Sequence, residues 1–132
     1  MGEMQKVYVK EEYPHSAITS MIIAAATEVH RVLGPGYEEI IYQRALTLEL
    51  PAHGLEFEWE VWMDVNDEGE RIGKKRVDFI IEDVMVEIKA KGEIEDVDVI
   101  QTLSYLKASG LRVGLLLNFG AKTLGIKRLI KT

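Results

Sequence analysis

Between Ser16 and Leu33 the apolar residues Ile18, Ile22, Ala25, Val29 and Leu33 recur at steps of three and four, which predicts a helix that Gly34-Pro35-Gly36 then ends. A second helix is expected over about residues 37–50, closed by Pro51 and Gly54. Next, Phe57, Trp59, Val61, Met63 and Val65 alternate with Glu56, Glu58, Glu60, Trp62 and Asp64. That period of two predicts a half-buried strand, turned at 66–69. Strands over about 74–81 and 84–90 are separated only by Glu82-Asp83, so a tight antiparallel hairpin is expected. After Gly92 a helix places Val97, Gln101, Tyr105 and Ala108 on one face and stops at Gly110. Residues 111–119 are almost unbroken apolar, as in a strand covered on both faces near the centre of a sheet, and 126–130 add a short last strand. Three strands followed by a helical crossover predict an α/β fold, a mixed central sheet flanked by helices.

With 132 residues, 47% of them hydrophobic, the chain can bury one continuous core, and a single domain over 1–132 with its core at about 16–130 is expected. No cysteine is present, so any metal must be held by carboxylate, imidazole or carbonyl groups, an inventory that suits Mg2+ or Mn2+. Residues 1–13 are charged throughout without an apolar stretch, and the longest apolar runs fall short of a membrane span; the cytoplasm is the expected address, with no membrane partner. A net charge of −6 argues against binding nucleic acid through bulk positive charge. Lys74, Lys75 and Arg76 form the densest positive run, either a local nucleic-acid contact or charges guarding an edge strand.

If Glu82 and Asp83 are the two loop residues of the hairpin, Asp78 lies directly opposite Glu87. Like charges so placed destabilise a sheet, so something must offset them. By alternation Arg76 and Lys89 share the face of the two acids, while Val77, Phe79, Val86 and Ile88 point to the other. Two readings remain open on spacing alone. The carboxylates hold one hard cation, or the face carries a salt-bridge lattice, Asp78 with Arg76 and Glu87 with Lys89.

Asp78 followed by Glu87-Ile88-Lys89 resembles the D…(D/E)xK signature of the PD-(D/E)xK nuclease superfamily, with Val77 where the superfamily's name has proline. The stretch from His30 to Gly36 with Glu39 and Tyr42 is similar to the hallmark of its GxxExxY group. Gln101, Tyr105 to Gly110 and Asn118-Phe119-Gly120 continue the likeness, which covers most of the chain. The resemblance implies a restriction-endonuclease-like αβββαβ core and metal-dependent phosphodiester hydrolysis in DNA or RNA. Asp78 and Glu87 would bind the Mg2+ or Mn2+, Glu39 would add a further acid, and Lys89 would orient or activate water. Helical periodicity alone does not choose Glu39 over Glu38. Gln101, polar on the inner stripe of its helix, is expected to meet the site or a backbone group. Tyr42 and Tyr105 are accessory candidates; so is His30, although a lone histidine at a helix end is more often a cap or a satisfied core residue. Targeting calls for a partner or a homodimer, with the Trp62 face of the first strand as one candidate surface. The rival function is a non-catalytic nucleic-acid or protein-binding module on the same fold.

Overall fold

A computed structural model describes residues 15–131; the charged segment 1–13 lies outside them. Helix α1 spans Ser16–Leu33, as its periodicity predicts, and buries Ile22, Ala25, Ala26 and Val29. Helix α2, Glu39–Ala52, begins two residues later than expected and runs on past Pro51. Glu38 flanks it in extended geometry, while Pro51 falls in the last turn, where it does not stop the helix. Strands β1 (Phe57–Asp67), β2 (Glu70–Ile81) and β3 (Val84–Lys89) form a meander. Helix α3 (Asp96–Ser109) crosses over to β4 (Val113–Asn118), and β5 (Gly125–Ile130) follows.

The sheet order is β1-β2-β3-β4-β5, with only the β3–β4 pair parallel. This is the mixed sheet flanked by helices that the pattern predicts. One face packs on α1 and α2 through Phe79, Ile81, Val86 and Ile88, the other on α3 through Val77, Met85, Leu106 and Leu129. Every residue of β4 is buried, as its apolar run implies. No helix among the described residues is long and apolar enough to cross a membrane.

Two features of the meander depart from the pattern. β2 starts at Glu70, earlier than expected, because Glu68 and Gly69 take positive φ and form a two-residue turn that extends the ladder through polar residues. More consequential is the break at Glu60, which has φ 58° and lies where a partner for Asp78 belongs; the β1–β2 register skips from Trp59↔Phe79 to Val61↔Val77. Phe57, Trp59, Phe79 and Ile81 pack with α1 and α2, whereas Val61, Met63 and Val77 pack with α3. Val77 therefore does not share the face of Phe79, contrary to strict alternation. The kink turns the ribbon over at Asp78, and both faces of the hairpin carry apolar packing.

The chain leaving β3 is clamped. Asn118, buried at the end of β4, accepts the Lys91 N–H at 2.9 Å and donates its own amide to the Lys91 carbonyl at 2.9 Å. Gly120 lies against the same peptide: a Cβ there would overlap the Lys91 nitrogen and come within 2.5 Å of the Ala90 carbonyl carbon. Backbone cannot yield as a flexible side chain can, so Gly120→Ala is expected to destabilise by about 3 kcal/mol or more. Gly92→Ala, where a Cβ meets nothing within 4 Å, should stay within about 0.5 kcal/mol of wild type in the same urea denaturation.

Candidate metal centre

The β2–β3 turn has the expected two loop residues, Glu82 at φ 53° and Asp83 at φ 91°. The register follows from it: Ile81↔Val84, Ile80↔Met85, Phe79↔Val86. One step on, the regular ladder stops. The Asp78 N–H donates to Glu87 Oε2 at 3.0 Å, and the Ile88 N–H donates to Asp78 Oδ2 at 2.8 Å. Where the kinked β2 parts from β3, the two carboxylates accept amide hydrogens that the ladder would otherwise leave unpaired. Asp78 and Glu87 thus come together through each other's backbone.

Each acid commits one oxygen in this way and makes no other hydrogen bond among the described residues. Glu87 is only 6% exposed and Asp78 half-buried. Burial first, and then the Asp78 charge, pushes the Glu87 carboxyl up to about 8; Glu39 adds to the rise, while the amide hydrogen bond and Lys89 oppose it. Asp78 is raised as well, by burial and by Glu39, against the Ile88 amide, Lys89 and Arg76. The site carries more negative charge than its surroundings offset.

The salt-bridge lattice is absent among the described residues. Arg76 pairs with Glu60 at 3.7 Å, and no cation among the described residues lies in ion-pair contact with Asp78 or Glu87. Lys89, on the same face of β3 two residues beyond Glu87, acts on both acids through its charge without contact. Tyr105, from α3, sits close enough that burial and then the two carboxylates raise its hydroxyl above the ordinary value. Glu39 opens α2 on the stripe that buries Tyr42, Leu46 and Leu50, whereas Leu48, on the stripe of Glu38, is 79% exposed. Glu39 is itself exposed, and no three His, Asp or Glu side chains close into a metal cage among the described residues.

Other candidates take structural places. Tyr42 donates to the Gly34 carbonyl at 2.6 Å, accepts the Tyr37 N–H at 3.1 Å and stacks on Phe119, bolting the turn in front of Glu39. Gly36, at φ 116°, supplies the backbone for that turn. His30 bonds the Ala121 carbonyl at 2.9 Å, joining α1 to the β4–β5 loop. Gln101 is exposed, and so are Val97 and Ala108; the buried stripe of α3 is Asp98, Thr102 and Leu106, one residue round from the expected face. The rotation has a cause in the capping box of Glu95 and Asp98, which turns Asp98 inward. Lys74 and Arg76 lie over Trp62, at 5.6 and 6.0 Å from its ring, beside the acids of β1. The positive run is therefore partly neutralised where it stands.

A model of the PD-(D/E)XK nuclease superfamily matches residues 16–129. The chain belongs to that superfamily. The solved structure of SSO0001 is similar, with a TM-score of 0.53 at 21% identity over 96% of this chain and 61% of that one, a likeness of fold. This chain spans about three fifths of that protein's length. No curated protein matches it. PD-(D/E)XK nucleases generally use divalent metals, and the donor set fits one: two converging carboxylates, each with an uncommitted oxygen and no neutralising contact. An open site of two acids suits a hard cation that keeps several waters and takes further oxygens from a phosphate.

The sequence pattern did not single out Lys91 and Asp98, and it gave Asn118 no role beyond the family likeness. Lys91 bridges Asp98 at 2.9 Å and Glu95 at 2.5 Å, tying the clamped chain after Lys89 to the start of α3. Burial raises the Asp98 carboxyl, but the Glu95 amide and Lys91 bring it below the ordinary value overall. The readable signal was the Glu-x-x-Asp cap, two residues that look like surface charge until Asp98 proves buried.

Since the folded state holds the Glu87 proton up to about pH 8 and the unfolded state releases it near the ordinary glutamate value of 4.5, the protein binds more protons when folded between those limits. Stability without metal is therefore greatest at the acid end of that window and falls as pH rises to about 8; Asp78 contributes with the same sign. At about 1.4 kcal/mol per unit the loss amounts to a few kcal/mol. Urea denaturation in chelator at pH 5 and 8 should show it, and Glu87→Gln should flatten the difference.

Proposed function

We propose that the chain is a metal-dependent nuclease of the GxxExxY group, hydrolysing phosphodiester bonds in DNA or RNA with Mg2+ or Mn2+. The observation that carries this reading is the buried, uncompensated carboxylate pair of Asp78 and Glu87 with Lys89 beside it on the same face. Gly36, Glu39 and Tyr42 support the group, since glycine shapes the turn, tyrosine bolts it, and the charge of the acid between them is felt at Asp78.

Asp78 and Glu87 would hold the cation, with Glu39 as a further acid beside it. When bound, the cation supplies Lewis-acid polarisation of the scissile phosphate and lowers the pKa of water. Lys89 is placed to orient the attacking water and to stabilise negative charge gathering on the phosphate oxygens as the new P–O bond forms and the leaving P–O bond breaks. The Tyr105 hydroxyl, kept protonated by its surroundings, can donate a hydrogen bond at the rim of the site. The clamp of Asn118 and Lys91 fixes the chain just beyond Lys89, so the backbone that carries it is set before substrate arrives.

Millimolar Mn2+ is expected to raise the melting temperature by several degrees, because it binds the folded state and relieves repulsion there. Asp78→Asn should remove that shift; an unchanged melting temperature in wild type counts against the site. For the reaction, wild type should cleave at least one of single-stranded, duplex, flap and RNA substrates with Mn2+, and Asp78→Ala should not. Lys89→Ala should lower the rate by about a hundredfold or more while substrate affinity changes little, since its work lies in the transition state. Equal cleavage by wild type and Asp78→Ala, or none by either, leaves the binding-module reading.

A further inference from the structure

The charge of this chain is divided along its length. After Asp98 there is no acidic residue, and the last 34 residues carry Lys107, Arg112, Lys122, Lys127, Arg128 and Lys131; the first 98 hold all 22 acids against ten Lys and Arg. The fold gathers most of the basic part at one edge of the molecule. β5 is an outer strand paired only with β4. Lys107 and Lys131, with Leu103 and Ile130, line a cleft of about 550 Å³ between α3 and β5. Farther along the same seam, Lys127 lines a second of about 520 Å³ with Val99, Ile100 and Leu129. The Lys131 N–H donates to the Arg112 carbonyl at 2.8 Å, which brings Arg112 to the Lys131 end.

We infer that this seam is where the phosphate backbone of a nucleic acid lies, held by Lys107, Arg112, Lys127 and Lys131, an inference that rests on the nuclease reading and extends it to substrate binding. Three observations carry it. First, an acidic protein needs a local basic footprint to hold a polyanion, and the run on β2 stands among acids: Arg76 pairs with Glu60, and Lys74 lies opposite Asp64 on β1. Second, the register Glu87↔Leu116↔Lys127 puts Lys127 on the same sheet face as Glu87. Two strand spacings separate them, roughly 10 Å, which sets Lys127 one strand beyond the β3–β4 pair that carries Glu87. Third, Lys127 and Lys131 lie about 13 Å apart along an extended strand, a line of charge that suits a repeating anion. Glu95 and Asp96 also border the Lys127 end. Glu95 is engaged by Lys91, and the stronger grip falls to Lys107, Arg112 and Lys131.

The acids exposed along β1, Glu58, Glu60 and Asp64, with Glu56 just before it, could also complement this edge in a second copy of the chain, and the test separates the two partners. Fluorescence anisotropy in chelator, where no cleavage intrudes, would follow a labelled 20-mer, single-stranded and duplex, binding to the whole chain at several salt concentrations. Lys107→Gln with Lys131→Gln is expected to weaken binding about tenfold at low salt and to reduce the salt slope by about two, while Lys74→Gln with Lys75→Gln, the same change in net charge, has a clearly smaller effect. Equal losses from the two double variants, a larger loss from the β2 pair, or no binding by wild type would overturn the inference. So would sedimentation showing a wild-type dimer that the Lys107/Lys131 variant loses while it binds DNA normally, since the seam would then join copies. Because the measurement is of binding alone, the expected pattern without any cleavage would sink only the nuclease reading, and cleavage without the pattern only the seam.

Discussion

Two carboxylates are held side by side at the point where β2 leaves β3, and the repulsion between them is the constraint that organises the site. Neither acid is there by accident of surface composition: each accepts a backbone amide at the break in the ladder, Asp78 from Ile88 and Glu87 from Asp78. A Leu or Val at either position would leave a buried amide without a partner, at a cost of about 1–3 kcal/mol. The same two side chains thus repair the sheet and create an excess of negative charge within it. That excess is tolerated because protonation of Glu87 up to about pH 8 can relieve it in the absence of a cation, and a divalent ion can relieve it more completely.

The rest of the fold keeps this arrangement from relaxing. Positive φ at Glu60 turns β1 and β2 over and opens the ladder at Asp78. On the other side Asn118, Gly120 and the Lys91–Asp98 bridge secure the chain just after Lys89. Tyr42 fixes the turn from which Glu39 starts its helix. Each polar group is fixed by backbone or by a buried partner rather than by surface ion pairs, which contribute little and yield to salt. A site so supported can keep like charges close without local unfolding.

Much of this was legible in the sequence where local rules are strong. The α1 boundaries follow from its apolar steps and the glycine stop; the two-residue turn at Glu82-Asp83 fixes the register that sets Asp78 beside Glu87. What local rules missed depended on partners distant in the chain. Alternation put Val77 with Phe79 because nothing in the sequence announces the positive φ of Glu60. Helical periodicity set Val97 and Gln101 inward, but the α3 cap, whose Asp98 is drawn in by Lys91, rotates the helix by one residue. Periodicity left Glu38 and Glu39 equivalent; the family resemblance chose Glu39, and the burial of Tyr42, Leu46 and Leu50 puts Glu39 on the packed stripe. The division of charge at Asp98 was readable by counting, yet it acquires meaning only once β5 and α3 form a single edge.

The central claim is that Asp78 and Glu87 together are a cation site. Crystals grown with manganese test it most directly, through anomalous difference density. The account predicts a single strong peak bound by both carboxylates in wild type, lost in Asp78→Asn. A map with no peak between them at millimolar manganese, or with the Lys89 ammonium moved in to pair with both acids, would contradict it.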